Sequence, residues 1–248
     1  MEIYDSIGGG YARHRQPDSR IAQSIRAAIG DVRTLVNVGA GAGSYEPNGV
    51  AVTAVEPAWR MLAQRKRGAA PALRAVAERL PFRDACFDVA LGVLTAHHWR
   101  DLGAGLREMV RVARERVVIF TWDPEHPGFW LTRDYFPEIL AWDRSAFPSI
   151  DRFKAHLADV RVEVVPVPAH CCDGFLGAYW KRPSAYLDAG VRQSISTFSR
   201  LATPALGLAR LESDLQDGTW LEKNGAIVSC EEMDLGYRLI VARGNQRR

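Results

Sequence analysis

The segment from Val36 to Glu56, VNVGAGAGSYEPNGVAVTAVE, limits the possible folds of this chain more than any other. An apolar run, Thr34 to Val38, leads into alternate glycines at Gly39, Gly41 and Gly43, with Ala40 between the first two. A second apolar run, Val50 to Val55, ends on a carboxylate, Glu56, followed by Pro57. The order reads as strand, tight loop, connecting segment, second strand and acidic tip. Glycine is needed where the backbone turns with positive φ, or where a ligand lies against bare main chain. A carboxylate at a strand tip can only accept hydrogen bonds, which suits paired ribose hydroxyls. A nucleoside-bearing ligand is the first inference. The dinucleotide fingerprint G-x-G-x-x-G is not met, because Ser44 stands where its third glycine belongs.

The pattern G-x-G-x-G with an acidic strand end resembles motifs I and II of class I S-adenosylmethionine (SAM) methyltransferases. Two later blocks agree. Ala77-Glu78-Arg79-Leu80-Pro81-Phe82, then Arg83 to Asp88, resembles the "AE-x-LPF-x-D-x-x-FD" block of the ubiquinone/menaquinone-type (type 11) branch. Leu102 to Ala113, amphipathic with Leu106, Met109, Val110 and Ala113 on one face, resembles the "L-x-E-x-x-RV" helix before strand five. The resemblance spans roughly residues 35–122.

It implies an α/β fold: a doubly wound, Rossmann-like seven-stranded sheet, its last strand antiparallel, with a helical cap inserted after strands five and six. One domain would hold an N-terminal lid and helix (1–30), a SAM-binding core (31–122), acceptor-binding insertions (123–158 and 169–231) and a final strand (232–243). S-adenosyl-L-methionine would be the cofactor and S-adenosylhomocysteine the product. Glu56 would bind the ribose and the Gly39–Gly43 loop would pass beneath the methionine part. Ala77 and Glu78 would lie beside the adenine, and Leu94 would touch the cofactor through its backbone. Tyr4, Tyr11 and Arg15 match a lid pattern of one branch, in which arginine can hold a carboxylate and an aromatic face can attract a sulfonium. Two positions depart from the family. Asn37 replaces the usual acidic residue, keeping an acceptor oxygen without the charge. Val76 stands where many relatives carry Asp.

The remaining elements follow from periodicity and punctuation. Helices are expected over Ser19–Ile29, with Ser19 near the N-cap, over Pro57–Gly68 and over residues 149–158. Strands are expected at Leu73–Ala77, Asp88–Val93, Arg116–Trp122, Val160–Val167 and Leu235–Ala242. The long insertion reads as helices over Gly174–Asp188, Val191–Arg200 and Ala205–Asp217.

Strand four exits into Leu94-Thr95-Ala96-His97-His98-Trp99, where ligands of open α/β sheets bind. His97 or His98 could act there as a general base with a pKa near working pH. Adjacent side chains diverge, so at most one of them, with His97 preferred, is expected to face the acceptor, and the other to anchor the following helix. Trp122, Trp130, Tyr135, Tyr179 and Trp180 are the candidates for lining an aromatic or apolar acceptor site, although for any single one of them the cap's own core is the favoured reading. His170, Cys171, Cys172 and Asp173 lack metal-ligand spacing, so no metal is expected.

Composition narrows the partners. The 248 residues carry 32 basic against 29 acidic side chains, a net +3 with no dense basic stripe, which argues against nucleic acid. No apolar run reaches membrane-spanning length, and the four cysteines form no disulfide framework at this size. A cytoplasmic protein acting on a small-molecule methyl acceptor is the expectation. The rivals are a SAM-binding sensor or scaffold without turnover and a nicotinamide-dependent oxidoreductase.

Overall fold

The structure, a computed structural model, describes residues 16–245. Tyr4, Tyr11 and Arg15 therefore lie outside the described residues.

Helix α1 (Ser19–Ile29) opens the described chain. Its N-cap is Asp18, one residue before the expected Ser19, and the Asp18 carboxylate accepts from the Arg20 N–H. Strands β1 (Thr34–Val38), β2 (Ala51–Val55), β3 (Ala72–Leu73), β4 (Phe87–Val93) and β5 (Ala113–Trp122) follow. Helix α2 (Trp59–Ala63) lies between β2 and β3, and α3 (Leu102–Val112) between β4 and β5. After β5 come α4 (Pro137–Ala146), α5 (Ile150–Lys154), β6 (Arg161–Val164) and β7 (Val167–Pro168). The long insertion carries α6 (Ala189–Ser194), α7 (Pro204–Gln216) and α8 (Thr219–Val228). Strands β8 (Glu232–Met233) and β9 (Tyr237–Arg243) close the chain.

The main sheet has seven strands in the order β3-β2-β1-β4-β5-β9-β6. Pairs among β1 to β5 are parallel, and β9 runs antiparallel to both neighbours. The order reverses beside β1, so the ends of β1, β2 and β4 flank the crevice in which such sheets bind ligands. Alternate residues feed opposite faces. Leu35, Val118 and Phe120 join α1 and the insertion in one core, while Val36, Val117 and Ile119 pack with Leu106 and Met109 of α3 in the other.

Several expected elements are shorter or broken, each for a local reason. The helix expected to Gly68 ends at Ala63, and Gly68 takes φ +84° in the turn beyond it. The third strand, expected over Leu73–Ala77, is Ala72–Leu73 and shares only Leu73 with that range. The sixth strand splits, because Pro166 has no N–H for the ladder. β6 stays beside β9, while β7 pairs with β8 in a separate two-stranded sheet. The helix expected over 174–188 is two 3-10 turns, Leu176–Tyr179 and Pro183–Leu187. Pro183 drives Arg182 out of helical geometry, to φ −126° and ψ 67°. The 191–200 helix likewise breaks at Ile195, leaving α6 and a turn at Phe198–Arg200. Helices α4 and α8 have no counterpart in the sequence reading. Among the described residues no helix is long and apolar enough to cross a membrane.

Candidate functional site

A cavity of about 630 Å³ opens at the carboxyl ends of β1, β2 and β4. Its first half is the glycine loop. The N–H groups of Gly39 and Ala40 donate to the Val55 carbonyl at 2.8 and 3.0 Å, tying the loop to the end of β2. Gly39 takes φ +69°, and a Cβ there would collide with the Thr95 side chain. Only glycine fits. Glu56 is 7% exposed and accepts from the Gly41 and Ala58 N–H groups, each at 2.9 Å. One carboxylate thus anchors the loop and also forms part of the cavity wall.

Asn37 lies beneath this loop. Its amide donates to Glu46 Oε1 at 3.2 Å, while its buried Oδ1 has no hydrogen-bond partner among the described residues. Glu46 is paired with Arg65 at 2.8 Å, and Arg65 also donates to the Ala70 carbonyl. A Cβ on Gly43 would press on this pair, and Gly43 is not on the cavity wall. Pro57, Ala77, Glu78 and Leu94 are on it. Glu78 accepts from the Arg100 N–H at 2.7 Å. Leu94 has φ 47°, a strained setting for leucine, and donates to the Phe120 carbonyl at 2.8 Å.

The second half is aromatic. His97 and His98 occupy a 3-10 turn at the exit of β4, and both line the cavity. Their rings lie 3.8 Å apart, and His97 stacks on Phe147 at 3.9 Å and 27°. The expectation that adjacent histidines diverge is corrected here: the tight turn brings them together. The expectation of a pKa near neutrality is corrected too. Burial, and then the Arg200 charge, lowers His98 to about 4; burial, His98 and Arg200 hold His97 well below its ordinary value. Both imidazoles are neutral at neutral pH, and both are weak bases. His97 Nδ1 is buried without a hydrogen-bond partner among the described residues.

Of the five expected acceptor-lining aromatics, Trp122 is on the wall. Trp130, Tyr135, Tyr179 and Trp180 are not, because each packs into the core behind it. Trp130 Nε1 donates to the Trp180 carbonyl at 2.8 Å, Trp180 Nε1 to the Val167 carbonyl at 3.0 Å, and the Tyr135 hydroxyl to Asp214 at 2.8 Å. The aromatic residues on the wall are Tyr45, Trp99, Trp122, Phe129, Trp142, Phe147, Phe175 and Tyr237. Thr95, Asp143 and Arg200 were not singled out from sequence, yet all three line the cavity. Tyr45, which directly follows the glycine loop, lines it too.

The His170–Asp173 motif turns out to join segments. Asp173 accepts from the Tyr45 hydroxyl, and the Cys172 N–H donates to Asp18 at 3.0 Å. Cys171 is buried, and burial pushes its thiol up to about 12. Among the described residues no group of three or more His, Cys, Asp or Glu side chains could hold a metal ion.

Comparison with known proteins bears on this site. Residues 36–121 match the methyltransferase domain family. A crystal structure from Anabaena variabilis ATCC 29413, of a protein ascribed as a methyltransferase to an antibiotic biosynthesis pathway, is 31% identical. It superposes with a TM-score of 0.85 over 92% of this chain and 98% of that one. The uncharacterized protein YafE of Escherichia coli (strain K12) is 42% identical over 60 residues, which is 22% of this chain. The chain spans only 29% of the length of that curated relative. Phosphoethanolamine N-methyltransferase 2 of Haemonchus contortus, solved with SAM, shares the fold at 14% identity and a TM-score of 0.56. That match covers 98% of this chain and 56% of that one.

Proposed function

The chain belongs to the SAM-dependent class I methyltransferases, and we propose that it methylates a small aromatic or apolar acceptor, releasing S-adenosylhomocysteine. One observation supports the acceptor class: the glycine loop and the aromatic residues Trp122, Phe129, Trp142 and Phe147 line one and the same cavity. Aromatic walls bury flat apolar molecules and orient them by stacking.

The residues present fit the cofactor. Glu56 accepts one N–H on each oxygen, and a carboxylate oxygen can accept a further bond, here from the ribose hydroxyls. The partnerless Asn37 Oδ1 suits a donor such as the cofactor's ammonium. Gly39 to Gly41 present bare backbone, while Ala77 and Glu78 would flank the adenine and Leu94 would offer its main chain. When bound, SAM supplies an electrophilic methyl: the acceptor's lone pair forms the new bond as the sulfur–carbon pair returns to sulfur. The protein contributes alignment and exclusion of water. His97 and His98, neutral and weakly basic, can position a hydroxyl or relay its proton, and an acceptor that is already ionised needs no base at all. The insertions at 123–158 and 169–231 serve as the acceptor-binding cap.

Calorimetric titration of wild type and Glu56→Ala with SAM, S-adenosylhomocysteine and NADH tests the cofactor assignment. Both adenosyl ligands should bind wild type and be lost in the variant. Isotopically labelled SAM then tests the acceptor class, with label expected in flat aromatic compounds. Label appearing only in protein or nucleic acid would sink the small-molecule reading.

A further inference from the structure

Because both cavity histidines are weak bases, the proton of an acceptor's hydroxyl or amine needs another destination. Asp143 offers one. It lies in the last turn of α4, lines the cavity and is 9% exposed. The Phe147 N–H donates to the Asp143 main-chain carbonyl at 2.9 Å, and the Phe147 ring stacks on His97 at 3.9 Å. The aspartate therefore stands one helical turn from the histidine wall, next to Trp142 of the same cavity.

The fold makes no visible use of this carboxyl. Among the described residues its side chain forms neither a hydrogen bond nor an ion pair, and only burial and the Arg200 charge act on it. A buried carboxyl without a partner costs stability, and at a cavity wall a ligand can provide the missing partner. Its setting also suits proton transfer. Burial, opposed by Arg200, lifts the carboxyl to about 7. On the adjoining Leu131–Tyr135 turn, Arg133 and Asp134 pair with each other at 2.7 Å, and His97 and His98 are uncharged at neutral pH. A base works best when its own value lies near the working pH, a condition the aspartate meets and the histidines do not.

Resting on the methyltransferase reading above, we propose that Asp143 is the catalytic base, taking the proton from a hydroxyl or amine on the aromatic acceptor. The lone pair of the oxygen or nitrogen forms the bond to the methyl carbon, and the sulfur–carbon pair returns to sulfur. The O–H or N–H pair stays on the heteroatom while its proton passes to the Asp143 carboxylate, which later releases it to water.

The test uses the full chain saturated with S-adenosylhomocysteine and titrated calorimetrically with matched pairs: naphthol against methoxynaphthalene, and naphthylmethylamine against its trimethylammonium analogue. Each pair is measured about one unit below and about one unit above the carboxyl's own value. The hydrogen-bearing member of at least one pair should bind more tightly, and its preference should widen by up to about tenfold at the higher pH, following the ionised fraction of the carboxyl. Widening in the first pair assigns a hydroxyl, and in the second an amine. Asp143→Asn should abolish the widening and Asp143→Glu should keep part of it, with S-adenosylhomocysteine affinity unchanged in both as proof of an intact fold. Pairs bound alike, a preference that does not change with pH, or a widening that persists in Asp143→Asn would overturn the base and leave the methyltransferase reading standing. Failure of S-adenosylhomocysteine to bind wild type would overturn both.

Discussion

The Tyr45 hydroxyl donates a 2.8 Å hydrogen bond to the Asp173 carboxylate, joining the end of the glycine loop to the long insertion. Both side chains are buried, and Tyr45 adopts φ 61°, a strained conformation that its surroundings must hold in place. Removing the hydroxyl deprives a buried carboxylate of a donor. Tyr45→Phe should therefore lose about 1–3 kcal/mol of stability. It should also weaken S-adenosylhomocysteine binding, because the loop is no longer tied to the insertion. Urea unfolding and calorimetry of Tyr45→Phe, Asp173→Asn and the double variant check this. Additive losses would show that the two groups do not act as a pair.

Gly39 and Thr95 are equally interdependent. The left-handed backbone at Gly39 and its closeness to the Thr95 side chain each exclude a Cβ. Gly39→Ala should abolish S-adenosylhomocysteine binding. Pairing it with Thr95→Gly should restore binding only in part, since the collision is relieved but the φ +69° strain remains. Calorimetry on both variants decides between them, and full restoration would mean that the backbone conformation is not limiting.

The legible parts of this chain are those with a local cause. Strand β1, the loop at Gly39 and helix α3 all follow from periodicity, glycine placement and caps, and the structure has them where the residues put them. The aromatic end of the cavity was not legible, for a physical reason. Aromatic density marks burial but does not say which ring faces a cavity and which faces core, so Trp130 and Trp180 read like Trp122. Asp143 and Arg200 come from separate segments and meet only through tertiary packing. The histidine pair was visible, but its basicity depends on burial and on Arg200, neither of which the sequence around it contains.

Glu108 and Arg111 show that a family motif can be structural. Glu108 accepts from the Leu80 N–H at 2.7 Å and from Arg111 Nε at 2.6 Å, while Arg111 donates to the Leu80 and Phe82 carbonyls. Helix α3 thus clasps the Leu80–Phe82 block beside Ala77 and Glu78 of the cavity wall. Glu108→Gln should cost about 1–2 kcal/mol of stability and change S-adenosylhomocysteine affinity far less than Glu56→Ala does. Thermal unfolding beside calorimetry separates the two effects. Lost binding with unchanged stability would make Glu108 a ligand.

Asp143 and His98 pull the pH dependence of stability in opposite directions. Burial, opposed by Arg200, raises the Asp143 carboxyl from 3.8 to about 7. Between those values the folded protein keeps a proton that the unfolded chain has released, so stability falls as pH rises. His98, lowered from 6.5 to about 4 by burial and then by Arg200, does the reverse: the unfolded chain binds the extra proton, so stability falls as pH drops from 6.5 towards 4. The Asp143 trend offsets part of the histidine trend, to which His97, also held well below its ordinary value by burial, adds with the same sign as His98. Asp143→Asn mimics the neutral carboxyl and should uncover the histidine trend. Relative to wild type, the variant should gain stability steadily as pH rises from 3.8 to about 7, and the gain should level off above that point. The plateau should be on the order of a few kcal/mol. Urea midpoints measured across this range give the answer, and a gap that does not change with pH would mean that Asp143 is ionised in the folded protein throughout.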